Sequence, residues 1–361
     1  MNVVFRADAS LEIGTGHVMR CLTLANALRE TGASCTFVCR AHEGHLGEHI
    51  RACGHALHLL PRAADFCSAD EDEPYARWLG STPEQDAEQT LAVLISSCDW
   101  LVVDHYGLDA RWETRLRTRA RHLLAIDDLA NRRHDCELLL DQNLGREARD
   151  YDGLVGDRTQ RLIGPRYALL RPEFAQWRET SLARRRQPSL RQLLITMGGV
   201  DKDNATGLVL DALGRSALPS DCRAVVVMGP HAPWLDEVRR KAKSLPFPCT
   251  IKTNVSNMAE LMANSDLAIG AAGSTSWERC CLGVPAVLLC LAANQREALA
   301  ALQYEGAAIS IDRENVMSFL PGWLADNGLM EALLRLSRSA ALITDGEGVA
   351  RVIALMKGEA E

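Results

Sequence analysis

The chain is predicted to fold as an α/β protein with two doubly wound domains of Rossmann type that face a cleft. Short apolar runs alternate with segments of helical periodicity almost throughout the 361 residues. This alternation is typical of parallel sheets that are covered by helices on both faces. The second half repeats the alternation of strands and helices seen in the first half. Because the chain is also long for a single hydrophobic core, two domains are expected.

The first domain is predicted over residues 1–165. Its candidate strands are Val3–Phe5, Ser34–Cys39, Ala56–Leu60, Trp100–Val103, His122–Ile126 and Leu138–Leu140. Between them lie helical patterns, of which the clearest are Arg20–Thr31 and Ala87–Ser97. The arginine-rich segment Asp109–Arg121 is expected to form an exposed helix.

A charged segment over residues 166–191, which contains Pro172 and Pro188, is expected to link the domains. The second domain is then predicted over residues 192–361. Its candidate strands are Gln192–Met197, Arg223–Met228, Cys249–Lys252, Leu267–Gly270, Ala286–Leu291 and Ala307–Ile311. Its clearest helices are Met258–Asn264, Ser276–Leu282 and Gln295–Glu305. Ligands of such sheets bind beyond the carboxyl ends of the strands.

Composition narrows the functional classes. A net charge of −7 disfavours a nucleic-acid-binding role, and hydrophobic residues make up 47% of the chain, as in ordinary globular proteins. The first residues do not resemble a signal peptide, and no apolar run approaches the roughly 18 residues of a membrane span. The 12 cysteines form no CxxC pair, so we expect reduced thiols and a cytoplasmic location.

The segment Gly14-Thr15-Gly16-His17 is the most informative motif of the first half. It follows an apolar strand and opens a helical pattern, so its free backbone amides and the helix dipole favour an anionic ligand. The helix N-terminus also favours a neutral imidazole, which is the form that a general base needs. The alternative is a tight strand-to-helix turn in which His17 is only a cap.

Two loops of the second half are also suited to an anion. One strand ends in Gly198-Gly199, and another is followed by Gly273-Ser274-Thr275 at the start of a helix. Glu278, just inside that helix, would repel phosphate and is expected instead to accept hydrogen bonds from sugar hydroxyls. The alternative for Glu278 is a favourable interaction with the helix dipole.

No convincing metal site is found. His42, His45 and His49 could share a helical face, but glycines interrupt that helix and no further ligand completes a set. The acidic motifs Asp70-Glu71-Asp72 and Asp201-Lys202-Asp203 are interpreted as solvated loops. We therefore expect neither a metal nor a cofactor.

Several motifs together resemble the PseG-type UDP-sugar hydrolases. In the first half they are Phe5–Ser10, Ile13–Leu22, Asp104-His105-Tyr106, Asp127-Asp128-Leu129, Asp141-Gln142-Asn143 and Gly164–Phe174. In the second half they are Met197–Asp201, Gly273–Glu278 and Asn294-Gln295. The resemblance extends from the first strand to about residue 310, and no motif of the family is matched after about Asn315.

The resemblance implies a GT-B fold related to the MurG glycosyltransferases. It implies hydrolysis of UDP-2,4-diacetamido-2,4,6-trideoxy-β-L-altropyranose to UDP and the free sugar, a step of pseudaminic acid synthesis that serves bacterial surface glycans and flagellin. In the family, the histidine corresponding to His17 is the catalytic base, and the second domain holds UDP.

On this basis, His17, Tyr106 and Asp104 are the expected catalytic residues. The alternatives for Asp104 and Tyr106 are a capping aspartate and a half-buried tyrosine. The expected substrate-binding residues are Arg6, Asp8, Gly14, Gly16, Arg20, Gly198, Gly199, Asn254, Val255, Gly273, Ser274, Thr275, Glu278, Asn294 and Gln295.

A UDP-sugar is the expected partner, without nucleic acid or a membrane span, and a monomer is compatible with the sequence. Two other functions remain open. A glycosyltransferase would use the same UDP site and base, with an acceptor hydroxyl in place of water. A non-catalytic binding protein would bind a UDP-sugar without turnover.

Overall fold

The computed structural model describes residues 1–62, 75–292 and 295–359. The chain forms two compact units. The first takes Met1–Leu169 and the C-terminal segment from Gly348, and the second takes Leu170–Glu347.

The first unit is built on a parallel sheet. Its strands are β1 (Asn2–Ala7), β2 (Ser34–Arg40), β3 (Ala56–Leu60), β4 (Cys98–Asp104), β5 (Ala120–Ile126), β6 (Leu138–Asp141) and β7 (Gln160–Ile163). The helices between them are α1 (Gly16–Glu30), α2 (Gly47–Ala52), α3 (Ala76–Leu79), α4 (Pro83–Val93) and α5 (Ala110–Leu116). The strand order is β3-β2-β1-β4-β5-β6-β7, so the order reverses between β1 and β4. Open parallel sheets bind ligands at the carboxyl ends of strands beside such a reversal.

The six strands expected in the first half are confirmed, each with small changes at its ends. Strand β7 was not predicted, because its sequence, Gln160-Arg161-Leu162-Ile163, contains only two apolar residues. The expected long exposed helix is wrong: α5 ends at Leu116, and β5 begins at Ala120. Trp112 and Leu116 are buried in the core, so this short helix has an internal face despite its arginines.

The second unit repeats the architecture. In chain order its elements are α6 (Pro172–Arg184), β8 (Gln192–Thr196), α7 (Ala205–Leu213), β9 (Arg223–Val227), α8 (Leu235–Lys243), β10 (Cys249–Lys252), α9 (Met258–Ala263), β11 (Leu267–Ala271), α10 (Thr275–Cys281), β12 (Ala286–Leu289), α11 (Arg296–Tyr304), β13 (Ile309–Ile311), α12 (Val316–Leu324) and α13 (Leu329–Ile343). The parallel strand order is β10-β9-β8-β11-β12-β13, with a reversal between β8 and β11. The six strands expected in the second half are all present.

The segment expected to link the domains is largely structured. Residues 172–184 form α6, whose Phe174 is fully buried. Arg178 donates to the carbonyl of Cys281 and, over 2.7 Å, to that of Ala341. The arginines of this segment therefore bind backbone carbonyls of the second unit, which a charge pattern alone does not reveal.

The C-terminal segment also differs from its expected place. Helix α14 (Gly348–Met356) returns to the first unit, where Val352 and Met356 join the core beside β1 and β4. The indole nitrogen of Trp100 donates to the carbonyl of Met356 over 3.0 Å. The last helix therefore completes the first unit and not the second. Among the helices of the described residues, none combines the length and apolarity that a bilayer span requires.

Candidate functional site

The loop between β1 and α1 is held in a tight turn. The amide of Gly14 donates to the carbonyl of Ser10 over 2.9 Å, and the Ser10 hydroxyl accepts from the amide of Ile13. Gly14 has a φ of 82°, a region that residues with a side chain rarely adopt. Helix α1 has no side-chain cap from Thr15 and no acidic residue in its first turn. Its first amides are therefore available to an anion.

His17, the second residue of α1, lies against the last residue of β4. Its Nδ1 is 2.6 Å from Oδ1 of Asp104, which is fully buried. Arg20, one turn further along α1, contacts the same carboxylate over 2.6 Å through both Nε and Nη2. Burial alone would raise the pKa of Asp104, but the charges of Arg20 and His17 hold it well below its usual range.

This contact determines the tautomer of His17. An ionised Asp104 can only accept a hydrogen bond, so the proton of the neutral imidazole lies on Nδ1. The Nε2 atom then carries the lone pair and has no hydrogen-bond partner in the part of the chain that the structure describes. The side chain keeps 10% of its surface exposed. A base oriented by a buried carboxylate in this way can accept a proton from water or a hydroxyl.

Asp128 connects Arg20 to Tyr106. Its Oδ2 lies 2.7 Å from Nη2 of Arg20 and accepts from the Tyr106 hydroxyl, also over 2.7 Å. Burial and the charge of Asp128 raise the pKa of Tyr106 well above its usual value, so the phenol stays protonated. The Tyr106 ring meets the His17 ring edge to face, with 4.7 Å between ring centroids. Tyr106 therefore restrains the imidazole from a second side.

Two further aromatic rings complete this group. Trp78 of α3 stacks on Tyr106 with 5.6 Å between centroids, and its ring lies 6.4 Å from that of His17. Tyr75 lies 4.8 Å from Trp78 and 5.0 Å from Tyr106. Neither Tyr75 nor Trp78 was found by sequence reasoning, because they lie in a region that matches no motif and no periodic pattern.

Arg6 and Asp8 occupy a different environment from the one expected. Both are fully buried, and Nη1 of Arg6 lies 2.7 Å from Oδ1 of Asp8. Arg6 also contacts Asp86 over 2.6 Å, and Asp8 accepts from the amide of Arg40. The two side chains form an internal ion pair that braces the end of β1, and their contact with a substrate stays a prediction.

Acidic residues also gather at the ends of β5 and β6. The Tyr151 hydroxyl lies 2.8 Å from Oδ2 of Asp141 and 3.0 Å from Oδ2 of Asp127. Burial and the neighbouring Asp128 raise the pKa of Asp141 to about 7. The same Oδ2 of Asp141 also accepts from Nε of Arg146 over 3.1 Å, so this carboxyl is held by a guanidinium as well as by the phenol.

In the second unit, the glycine loops follow the two strands beside the reversal. Gly198 and Gly199 come after β8 and are exposed, and Gly198 has a φ of 90°. After β11, Gly273 and Ser274 precede α10, and Ser274 is exposed and does not cap the helix with its side chain. The structure therefore brings both predicted anion loops to one edge of the sheet.

Gln295 lies beside the second of these loops, whereas Asn294 lies outside the described residues. The Nε2 atom of Gln295 is 3.9 Å from the position that a Cβ at Gly273 would take. Its Oε1 accepts from the amide of Leu291 over 3.0 Å. Thr275 is the first residue of α10 and is partly exposed.

Glu278 remains 18% exposed, on the first turn of α10. Burial raises its pKa to about 7, although Arg171, whose Nη2 lies 3.9 Å from Oε1, lowers it. Near neutral pH the carboxyl therefore exchanges between its acid and carboxylate forms. Both forms can accept a hydrogen bond from a hydroxyl.

Arg279, the next residue, was missed by sequence reasoning. It is 1% exposed, and its Nη2 donates to the carbonyl of Ala271 over 2.6 Å. Its Nε and Nη1 atoms have no hydrogen-bond partner among the described residues. Burial lowers its pKa to about 10, so the guanidinium is still charged at neutral pH. A buried charge without a counter-ion is costly, and an anion bound nearby would offset that cost.

Asn254 and Val255 are separated from the two glycine loops in the sheet. They follow β10, and β9 lies between β10 and β8 in the strand order. Asn254 is exposed and has a φ of 53°. Their contact with a substrate stays a prediction.

The second acidic motif has a structural role. Both carboxylate oxygens of Asp201 accept from backbone amides at the start of α7, those of Ala205 (2.8 Å) and Thr206 (3.0 Å). Within the described ranges, no group of three or more His, Cys, Asp or Glu side chains is arranged to hold a metal ion. The motif Asp70-Glu71-Asp72 lies outside those ranges.

No protein-family model matches the chain. It is 27% identical over 308 residues to the UDP-2,4-diacetamido-2,4,6-trideoxy-beta-L-altropyranose hydrolase of Campylobacter jejuni. The aligned region covers 85% of this chain and 97% of that relative. It is 24% identical to the spore coat polysaccharide biosynthesis protein SpsG of Bacillus subtilis, over 99% of the chain and 98% of the relative. It is also 27% identical to the uncharacterized protein MJ1062 of Methanocaldococcus jannaschii, but spans only 57% of that protein. The resemblance to PseG-type hydrolases is thus confirmed as a similarity.

Solved structures confirm the fold. The chain superposes on MurG of Acinetobacter baumannii with a TM-score of 0.68 at 15% identity, over 99% of each chain. It superposes on the spinosyn rhamnosyltransferase SpnG, complexed with thymidine diphosphate, with a TM-score of 0.65 at 19% identity, over 98% of this chain and 99% of SpnG. Both sheets and the helices between them follow the GT-B arrangement of these glycosyltransferases.

Proposed function

We propose that the chain hydrolyses UDP-2,4-diacetamido-2,4,6-trideoxy-β-L-altropyranose to UDP and the free diacetamido sugar. The observation that carries the proposal is the His17–Asp104 pair, in which Nδ1 faces the buried carboxylate and Nε2 has no hydrogen-bond partner among the described residues. The 27% identity to the Campylobacter hydrolase, which extends over 85% of the chain, supports the same substrate.

In the proposed reaction, the oxygen of a water molecule attacks the anomeric carbon while Nε2 of His17 takes the proton. The bond between that carbon and the diphosphate oxygen breaks, and UDP leaves with the electron pair. Attack opposite the leaving group inverts the anomeric configuration. Asp104 stabilises the imidazolium that forms, and general-base help of this kind is typically worth about 10²–10⁴-fold.

The second unit is proposed to hold UDP. The loops at Gly198-Gly199 and Gly273-Ser274 would offer backbone amides to the diphosphate, whose charge Arg279 would balance. Glu278 would accept a hydrogen bond from a ribose hydroxyl. This division of roles needs no metal ion.

A glycosyltransferase is the second candidate, since the likeness to MurG extends over 99% of the chain. The same base would then deprotonate an acceptor hydroxyl in place of water. On the resemblance to PseG-type hydrolases, we assign the reaction to the pseudaminic acid biosynthesis that serves flagellin. On the cysteine pattern of the sequence, we propose that it takes place in the cytoplasm.

The test is incubation of the purified protein with the UDP-linked sugar alone, followed by NMR. Release of UDP and of the free sugar with inverted configuration is the expected result. Turnover that requires an added acceptor would favour the glycosyltransferase. Binding of the UDP-sugar without turnover would indicate a binding protein, and retention would require a carboxylate nucleophile in place of His17.

A further inference from the structure

We propose that Trp78 and Tyr75 form a subsite for the sugar, which takes an apolar face of the ring and its acetamido groups. The proposal rests on the proposed function, because it places the hexose beside His17. It adds two residues that have no counterpart in the motifs shared with the hydrolases.

The first observation is that these rings lie around the base. Trp78 stacks on Tyr106 with 22° between the ring planes, and it meets His17 nearly edge-on, at 74°. Tyr75 contacts both Trp78 and Tyr106 edge to face. A reacting anomeric carbon within reach of Nε2 therefore brings the rest of the sugar ring close to these aromatic side chains.

The second observation is that the two outer rings are only half-buried. A structural aromatic pair of the same unit, Phe5 and Phe37, is stacked at 4.9 Å and has 0% exposure. Trp78 and Tyr75 both keep part of their surface open, in contrast to that pair. Exposed aromatic surface beside a base is available to a ligand, and a sugar face rich in C–H groups can pack on it.

The third observation concerns the polar ends of the same rings. Neither the indole nitrogen of Trp78 nor the hydroxyl of Tyr75 has a hydrogen-bond partner among the described residues, and neither atom is buried. An indole N–H can only donate, and a phenol can donate or accept. These groups suit the carbonyl oxygens of acetamido substituents, while the ring faces suit their methyl groups.

The test separates sugar binding from both UDP binding and turnover. In a His17→Asn background, which keeps the UDP-sugar intact, the affinities for UDP and for UDP-2,4-diacetamido-2,4,6-trideoxy-β-L-altropyranose are measured by calorimetry. Adding Trp78→Leu should weaken the UDP-sugar about tenfold and leave UDP within about twofold, because only the sugar loses its aromatic contact. Trp78→Phe should recover part of the loss, since it keeps a ring face without the N–H.

Trp323→Leu is the matched control, because Trp323 is a half-buried tryptophan of the second unit that stacks on Phe319. It should leave the ratio of the two affinities unchanged. An unchanged ratio in Trp78→Leu would overturn the subsite. The measurement is of binding and does not require turnover. Absence of hydrolysis by the wild-type protein would refute the proposed function, whereas the ratio of the UDP-sugar and UDP affinities would still test the subsite.

Discussion

His17 and Asp104 are 87 residues apart, yet a contact of 2.6 Å between them determines which imidazole nitrogen can act as a base. The neighbouring Arg20 keeps the carboxylate ionised, and Asp128 holds Arg20 and Tyr106 together. The chemistry of this site therefore depends on a chain of charge-assisted hydrogen bonds that are buried or partly buried.

Replacing His17 tests its proposed role as the general base. His17→Asn should lower kcat by about 10²-fold or more, because the change removes the proposed general base. The affinity for UDP should persist, since the proposed UDP site belongs to the second unit. Steady-state kinetics and calorimetry measure both quantities. His122→Asn, at an exposed position of β5, is the control, and near-normal turnover in His17→Asn would leave His17 as a turn residue.

The raised pKa of Glu278 predicts that UDP binding depends on pH. Its pKa of about 7 means that it loses its proton as the pH rises from 6 to 8. A carboxylate is a stronger hydrogen-bond acceptor than the acid, so UDP should bind more tightly at pH 8 than at pH 6. Glu278→Gln should remove this trend in the Kd for UDP. A Kd that varies equally with pH in both proteins would assign the titration to another group.

At the scale of elements, the loops at the carboxyl ends of β8 and β11 lie where the strand order reverses. The glycines of these loops were recognised from the sequence, but the buried guanidinium of Arg279 was not. Arg279 belongs to α10 and reaches back to the end of β11, where it binds the carbonyl of Ala271. The sequence pattern of α10 does not reveal that one of its arginines contacts the end of a neighbouring strand.

Arg279→Met should weaken UDP binding about tenfold or more and uridine binding little, because only UDP carries the diphosphate. The unfolding free energy without ligand should stay similar or rise, since an unpaired buried charge is removed. Calorimetry with both ligands and urea denaturation measure these effects.

Arg185→Met is a matched control for this change. Arg185 is also buried, but it donates to backbone carbonyls, such as that of Ser265 over 2.8 Å. Its loss should destabilise the protein without altering the ratio of UDP to uridine affinity. Equal losses for UDP and uridine in Arg279→Met would contradict a role towards the diphosphate.

Divalent metal should not be needed for turnover. Backbone amides of the loops and Arg279 can balance the charge of the diphosphate, and the carboxylate of Asp201 already accepts from two amides at the start of α7. Activity should therefore be unchanged in excess EDTA. Loss of activity that Mg²⁺ or Mn²⁺ restores would instead make acidic side chains candidates for metal ligands.

At the scale of the whole molecule, the boundaries of the two units decide which fragments can fold. A fragment of residues 170–347 keeps α6 with the second unit, whereas a fragment of residues 192–361 loses α6 and gains α14. Helix α14 buries Val352 and Met356 in the core of the first unit, so it would expose them in the second fragment.

We expect the fragment of residues 170–347 to unfold cooperatively and to bind UDP. The fragment of residues 192–361 should have a lower melting temperature, because it lacks the contacts of Phe174 and Arg178. Circular dichroism and calorimetry test both statements. Binding of UDP only by the first unit would reverse the assignment of the UDP site.

The sequence by itself determined the elements that depend on local pattern. Short apolar runs that alternate with segments of helical periodicity revealed twelve of the strands. Glycine positions revealed the loops that precede α1 and α10. At Gly14 the backbone geometry demands glycine, because φ is 82°, so this turn is visible at a single position of the sequence.

Only the tertiary structure decided which side chains meet. It buried Arg6 and Asp8 as an ion pair, joined His17 to Asp104, and placed Trp78 beside His17. It also returned α14 to the first unit. These contacts connect residues that are far apart in the chain, and they follow from strand order and packing, which a local sequence pattern does not encode.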